Sequence, residues 1–598
     1  MSSCIPNSTS YHCTKPFEGT TKVKGLILDD THRPTDADID TKAFRKLRKL
    51  QLLQLNYVDL RRGYEYLPRE LIWLCWHGFP LEFIPTNFHP KDLVVLEMQY
   101  SKIKHVWKRI KVLKNLKVLN HSHSHNLTNT PDISGFPNLE RLILKGCIGL
   151  VEVHHSIGLL DKLVLLNLED CRNLRNLPIS ICKLKSLKDL NLSGCPNIGK
   201  FPFQSPFSSL WHWVSRRESP ASISQLLTSS YMCSLTRLDL SHLNMSEGAI
   251  LNDLRSLSSL KRLYLSYNNF NNLPASISHL CQLNEIQLVN CMSLQSIQEL
   301  PSSLGSLKAD GCTLLERISN IGNLTSLEYL SLCRTNICSL PDNISQLSCL
   351  KWLQLDGCSR LQKLPRLPPF LMGLYLQDCT SMERLNLSNL WHIWALYLNN
   401  CKKLVETQLP EKFGGFQIGG CTNMTYTFIK SNFLNKLFQG HLNEFDISVP
   451  GSEIPTWFRY KIMGSVISFK VPAVAGRKLT GFFVCAVYNA QAGCSAFYDD
   501  AFTIVNKTKG LKCNEGRFFN SRPRIACGDH ILVCYRKDVL IHPPLVTIHI
   551  GDWLESGDQV ELSVACGGNG RGIKVKKCGF HLEYAPNDRG FRLPLRNC

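Results

Sequence analysis

From Leu139 onward the chain repeats one short pattern of apolar and polar positions. LERLILKGC begins at Leu139, LVLLNLEDC at Leu163 and LKDLNLSGC at Leu187, 24 residues apart. Positions one, four and six are aliphatic, positions three, five and seven vary, and position nine is small. After an interval of 48 residues the pattern resumes at Leu235 and continues through Leu260, Leu283, Leu304, Leu327, Leu350, Leu371, Ile393 and Phe413. Weaker copies start at Leu50, Leu71, Leu93 and Leu116.

About sixteen copies at 20 to 25 residues predict an α/β leucine-rich-repeat solenoid, a horseshoe with a parallel concave sheet. No copy can bury its aliphatic face alone, so each L-x-x-L-x-L supplies a short strand that stacks on its neighbours. Many copies run on into a Leu-Pro pair, as at Leu177-Pro178, Leu273-Pro274 and Leu340-Pro341, where proline fixes a turn on the return segment. The array is expected over 46–430, after a linker or cap over 1–45. The interval around 203–233 reads as one degenerate copy or a bulging loop. From about residue 441 the pattern gives way to short alternating runs such as SVISFKVP, LVTIHI and QVELSVAC. These predict an all-β jelly-roll or Ig-like sandwich over 441–598.

This register changes how the cysteines read. The chain has 26 of them, but no C-x-x-C pair of the zinc kind. Cys147, Cys171, Cys195, Cys291, Cys312, Cys358, Cys379, Cys401 and Cys421 all fall on position nine. That pattern predicts a ladder of free thiols, each S–H approaching a backbone carbonyl, in a reducing compartment.

The register also disposes of an apparent metal site. In LNHSHSHNL, His121 falls on position six, an apolar position, while His123 and His125 follow the strand into its turn. The three imidazoles therefore do not share a face, and no metal or other cofactor is expected. His121 is expected to be buried.

Net charge is +20 and diffuse, except for the dense run KIKHVWKRIKVLKNLK from Lys102 to Lys117. A run of this kind suits an acidic partner domain or a solvated face better than a nucleic acid. No apolar stretch is long enough to span a bilayer and no secretory signal is recognisable, which leads to the expectation of a cytosolic or nuclear protein. Catalytic signatures are missing. GGNGRGIKV places Gly567 and Gly572 at phosphate-loop spacing, yet Ile573 stands where lysine is needed, and a hairpin turn is expected.

Binding information in a solenoid lies in the variable concave positions. Tyr264, Tyr329, Trp352, Tyr375 and Tyr397 fall there, with aromatics concentrated in the later copies, and Trp457 and Phe458 follow in the sandwich. Aromatic side chains on a rigid surface bury much area at little entropic cost, so these seven residues are the candidate partner-binding set.

Several segments resemble plant intracellular immune receptors of the TIR, nucleotide-binding, leucine-rich-repeat class. They are KVKGLILD before TKAFRKL, LPRELIWLCWHGFPLEFIP, NLTNTPDISGFPNLERLILKGC, PGSEIPTWF and VKKCGFHLEY. The resemblance implies recognition of a pathogen effector or a guarded host protein by the repeats and the C-terminal β domain, without catalysis. It also implies that Lys102 to Lys117 contacts a nucleotide-binding domain. The TIR and nucleotide-binding domains of the class are not matched here, so NAD hydrolysis would belong to a longer receptor. The alternative is a scaffold or adaptor that binds another intracellular protein.

Overall fold

The computed structural model describes residues 23–29, 39–61, 64, 66–85, 88, 90–107, 111–198, 228, 230–246, 254–410, 412–418, 421, 423, 445–474, 477–490, 502–515, 528–536, 538–542, 546–564 and 573–584. The 567–572 turn, most of 203–233, and Lys108 and Arg109 lie outside the described residues. The chain divides into two compact units, Met1–Leu307 and Lys308–Cys598.

In the first unit each copy contributes positions three to five as a strand, as in Arg141–Ile143, Leu165–Asn167 and Asp189–Asn191. These pair in parallel and in register, Leu142 with Leu166 and Leu190 with Leu166. Leu139, Leu142 and Leu144 are buried, as are their equivalents in the following copies. The strand Gly25–Asp29 pairs in parallel with Leu52–Asn56, so the segment expected as a cap begins the same sheet.

The 48-residue interval resolves itself in the pairing. Asp189–Asn191 is bonded directly to Arg237–Asp239, so no strand of this sheet lies between these two copies. Backbone N–H groups of Thr236 and Arg237 donate to the Lys188 carbonyl at 2.8 and 2.9 Å, which continues the ladder across the interruption.

Return segments are 3-10 turns such as His155–Leu159, Ile179–Lys183 and Ala275–His279, where an α/β fold would lead one to expect α-helices. A short repeat leaves room for little more than one turn opposite each strand, and the tighter helix suits such pieces. Pro178, Pro274 and Pro341 cap these turns at φ between −67° and −69°, the value their rings impose.

The second unit begins with the same architecture. Tyr329–Ser331, Trp352–Gln354, Gly373–Tyr375, His392–Tyr397 and Lys412–Gln417 form successive parallel pairs. Two antiparallel sheets follow. One orders Phe445–Pro450, Gly528–Arg536, Leu479–Ala490, Ile573–Tyr584 and Tyr460–Met463. The other runs from Val466–Lys470 through Gln559–Val564, Phe502–Asn506, Leu511–Glu515 and Asp538–His542 to Val546–His549. Phe482, Phe502, Phe580, Leu562 and Trp553 fill the interior between them.

Candidate functional site

Position nine carries the thiols inward. Cys171 Sγ donates to the Leu144 carbonyl at 3.1 Å and Cys195 to the Leu168 carbonyl at 3.0 Å. Cys291, Cys358, Cys379, Cys401 and Cys421 make the same bond to position six of the preceding copy, at 3.0 to 3.3 Å. Cys147 donates to the His121 carbonyl at 3.1 Å, and Cys312 is likewise buried. Where the copy lacks cysteine another donor takes over: Asn268 Nδ2 reaches the Leu240 and Leu265 carbonyls, both at 2.9 Å. The ladder satisfies carbonyls left over where each strand turns. Burial pushes the Cys147 thiol up to about 12, so it is not a nucleophile at neutral pH.

His121 is fully buried, and neither ring nitrogen has a partner of hydrogen-bonding geometry. Desolvation pulls its pKa down to about 4, offset only in part by the Met98 carbonyl, so the ring is neutral at physiological pH. His123 faces away from it: its backbone is left-handed, at φ 60°, and its ring stacks on Tyr100 at 4.8 Å. Among the described residues no group of three or more His, Cys, Asp or Glu side chains is arranged to hold a metal.

The candidate aromatic residues divide into three environments. Tyr264, in the first unit, is half-buried, donates to Glu285 Oε2 at 3.2 Å, and lies beneath the Arg237 guanidinium at 5.0 Å. In the second unit Tyr329, Trp352, Tyr375 and Tyr397 stand on consecutive strands of one face. Trp352 and Tyr375 lie 6.4 Å apart, and Tyr375 and Tyr397 lie 5.0 Å apart. Tyr329 is held by its hydroxyl to Gln354 Oε1 at 2.7 Å and is approached by Lys308 at 5.5 Å. The Trp352 ring lies flat over Gly373, where a Cβ would stand 2.3 Å from a ring carbon. Tyr397 is only 6% exposed and supports its neighbours, leaving the other three ring faces half-exposed.

Trp457 and Phe458 occupy the third environment. Phe458 is 2% exposed, packed with Trp457 on Phe483 and His581. Trp457 meets Phe483 and His581 edge-on at 5.0 and 5.4 Å. The expectation of a surface contact from Phe458 is corrected here: the segment folds back as an aromatic plug on the five-stranded sheet, because two large rings in PTWF gain more from that apolar face than from water.

Acidic side chains border the exposed aromatic faces. Asp310 accepts from the Cys333 backbone N–H and Asp356 from that of Gln377, both at 2.8 Å. Burial, with Asp378 and Asp310 adding repulsion, pushes the Asp356 carboxyl up to about 6 against the Gln377 N–H and Arg334. The Tyr375 phenol is pushed up to about 12 by burial and by Tyr397 and Asp356. What the face offers is a set of fixed aromatic planes flanked by negative charge.

Lys104 pairs with Glu82 at 2.5 Å, Lys117 with Glu140 at 2.8 Å, and the Lys111 ammonium donates to the Phe88 carbonyl at 3.2 Å. No helix among the described residues is long and apolar enough to cross a membrane.

Comparison with known proteins bears on this architecture. Residues 449–588 match the C-JID domain. The disease resistance-like protein DSC1 of Arabidopsis thaliana is 31% identical over 503 residues, covering 76% of this chain and 40% of that protein. The disease resistance protein RPS4B of the same plant is 27% identical over 609 aligned positions, covering 96% of this chain and 46% of the relative. Among solved structures, a Leptospira interrogans leucine-rich-repeat protein is similar at 23% identity and a TM-score of 0.42, covering 67% of this chain and 97% of that one. The chain spans less than half the length of these two plant relatives. With similarity along most of its length and a C-JID domain after its repeats, the chain is a homologue of plant disease resistance proteins of the TIR, nucleotide-binding, leucine-rich-repeat class.

Proposed function

We propose that this chain recognises another protein in plant innate immunity, binding a pathogen effector or a guarded host protein on the concave face of its later repeats. The observation that carries this reading is the row Tyr329, Trp352 and Tyr375, locked by Gln354, Gly373 and Tyr397 into one orientation. Rings that are already ordered lose little entropy on binding, which is the property of residues that dominate interface energetics. Asp310, Asp356 and Asp378 beside them favour a partner that lays arginine or lysine side chains across the ring faces. Contact of the Lys102 to Lys117 segment with a nucleotide-binding domain and an additional contribution from the C-JID domain belong to the same proposal.

The test compares the native chain with a Tyr329→Ala, Trp352→Ala, Tyr375→Ala variant, each fused to a proximity-labelling biotin ligase in leaf tissue. Partners labelled by the native chain are then purified and titrated directly. The expected result is an affinity loss of roughly tenfold or more in a variant whose thermal midpoint matches the native chain. Equal affinity would reject the reading.

A further inference from the structure

The first unit holds a groove of about 320 Å³ across the N-terminal ends of its strands, between Arg141 and Arg262. Its rim is cationic. Arg141, Lys188, Lys261 and Arg262 are all exposed, and among the described residues none of them forms an ion pair. Arg237 behaves differently: it is half-buried and committed to Asp189 at 3.0 Å and to Asp239 at 3.2 Å. That pairing leaves the four rim cations outside it, on a surface whose floor includes the half-buried apolar side chains of Val164 and Leu165.

Arg141, Leu165, Asp189, Arg237 and Arg262 are in-register neighbours on five consecutive strands. Four strand spacings span about 19 Å, which an extended peptide covers in about six residues. Like charges held this close repel one another, and the loss is recovered when an anionic ligand lies between them. The apolar floor and the carboxylate of Asp189 disfavour a uniform polyanion, whose phosphates would meet both. We propose that this groove binds an extended acidic segment of a partner protein, with glutamate or aspartate side chains on the rim cations and an apolar residue on Val164 and Leu165.

This site is separate from the aromatic face, and its test is separate as well. The full chain is titrated into a fluorescein-labelled peptide of glutamates around a central leucine, with fluorescence anisotropy as the readout. Saturable binding is expected, weakened by salt and by roughly tenfold or more in R141E/K188E/K261E/R262E. The milder R141Q/K261Q variant, which retains two rim cations, is expected to fall between. The Tyr329→Ala, Trp352→Ala, Tyr375→Ala variant is expected to bind as the native chain does, and oligouridylate is expected to compete only at higher concentration. Absence of saturable binding, equal binding by both groove variants, or tighter binding of oligouridylate would overturn the proposal.

Discussion

The imidazole of His123 occupies the space in which Gly146 would carry a side chain: a Cβ built there stands 2.4 Å from His123 Nδ1. Both residues hold position eight of consecutive copies, and both are left-handed, at φ 60° and 69°. The relationship recurs at Tyr57 over Gly78, Asp170 over Gly194 and Arg334 over Gly357. A large side chain at this corner folds over the next copy, onto a glycine in these four pairs and onto a stacked ring where His123 follows Tyr100.

Gly146→Ala is therefore expected to destabilise the chain, both through the left-handed backbone and through the clash. The cost should be about 1 to 3 kcal/mol in urea unfolding. His123→Ala in the same chain removes the clash and should recover part of that loss, leaving only the backbone contribution.

His121→Leu should raise stability by about 1 to 3 kcal/mol, because it replaces a buried imidazole without partners by the aliphatic group that position six otherwise holds. The native chain should also lose stability as pH falls from about 6.5 to about 4, since the unfolded imidazole takes up a proton that the folded one refuses until about pH 4. Unfolding midpoints across that range should fall in the native chain and stay flatter in the variant. An unchanged difference between the two chains at every pH would refute the assignment.

Asp356 is expected to act in the opposite sense. Its folded pKa is raised from 3.8 to about 6, so its contribution to stability is complete below about 3.8 and is lost as pH rises through about 6. Asp356→Asn retains an acceptor for the Gln377 N–H and should remove this loss. The stability difference between variant and native chain should grow across that window and level off above it.

The thiols are expected to separate into two kinetic classes. Cys233, Cys281, Cys338 and Cys349 are exposed and should react within the mixing time of a disulfide reagent. The position-nine cysteines, hydrogen-bonded to carbonyls and fully enclosed, should react only at the rate of local or global unfolding. Fast modification of Cys171 or Cys358, located by mass spectrometry, would contradict the ladder.

The repeat could be read in the sequence because its physics is local and periodic: a leucine at positions one, four and six has one stable destination, the column shared with neighbouring copies. His121 could be located by the same register, since its burial follows from the positions around it. Cys147 could be placed inward for that reason too, although its acceptor belongs to a residue 26 positions earlier and depends on the stacking. The packing of Phe458 on its own sheet left no signal in the sequence, because PTWF does not say which strand its rings will meet. The left-handed corner at position eight left a signal in Gly146, Gly194, Gly311 and Gly357, but Tyr100, His123 and Arg334 obscured it.

By itself the sequence determined that the chain stacks as a solenoid with its thiols turned inward, because burying a regular aliphatic stripe and satisfying the carbonyls at each bend are requirements that every copy carries within it. Only the tertiary structure decided that Asp189 and Arg237 become neighbours across a 48-residue interval. It alone gathered the cations of distant copies on one groove and packed Phe458 onto the five-stranded sheet. Those outcomes depend on which surfaces meet once the chain has folded, and separation along the sequence carries no record of that.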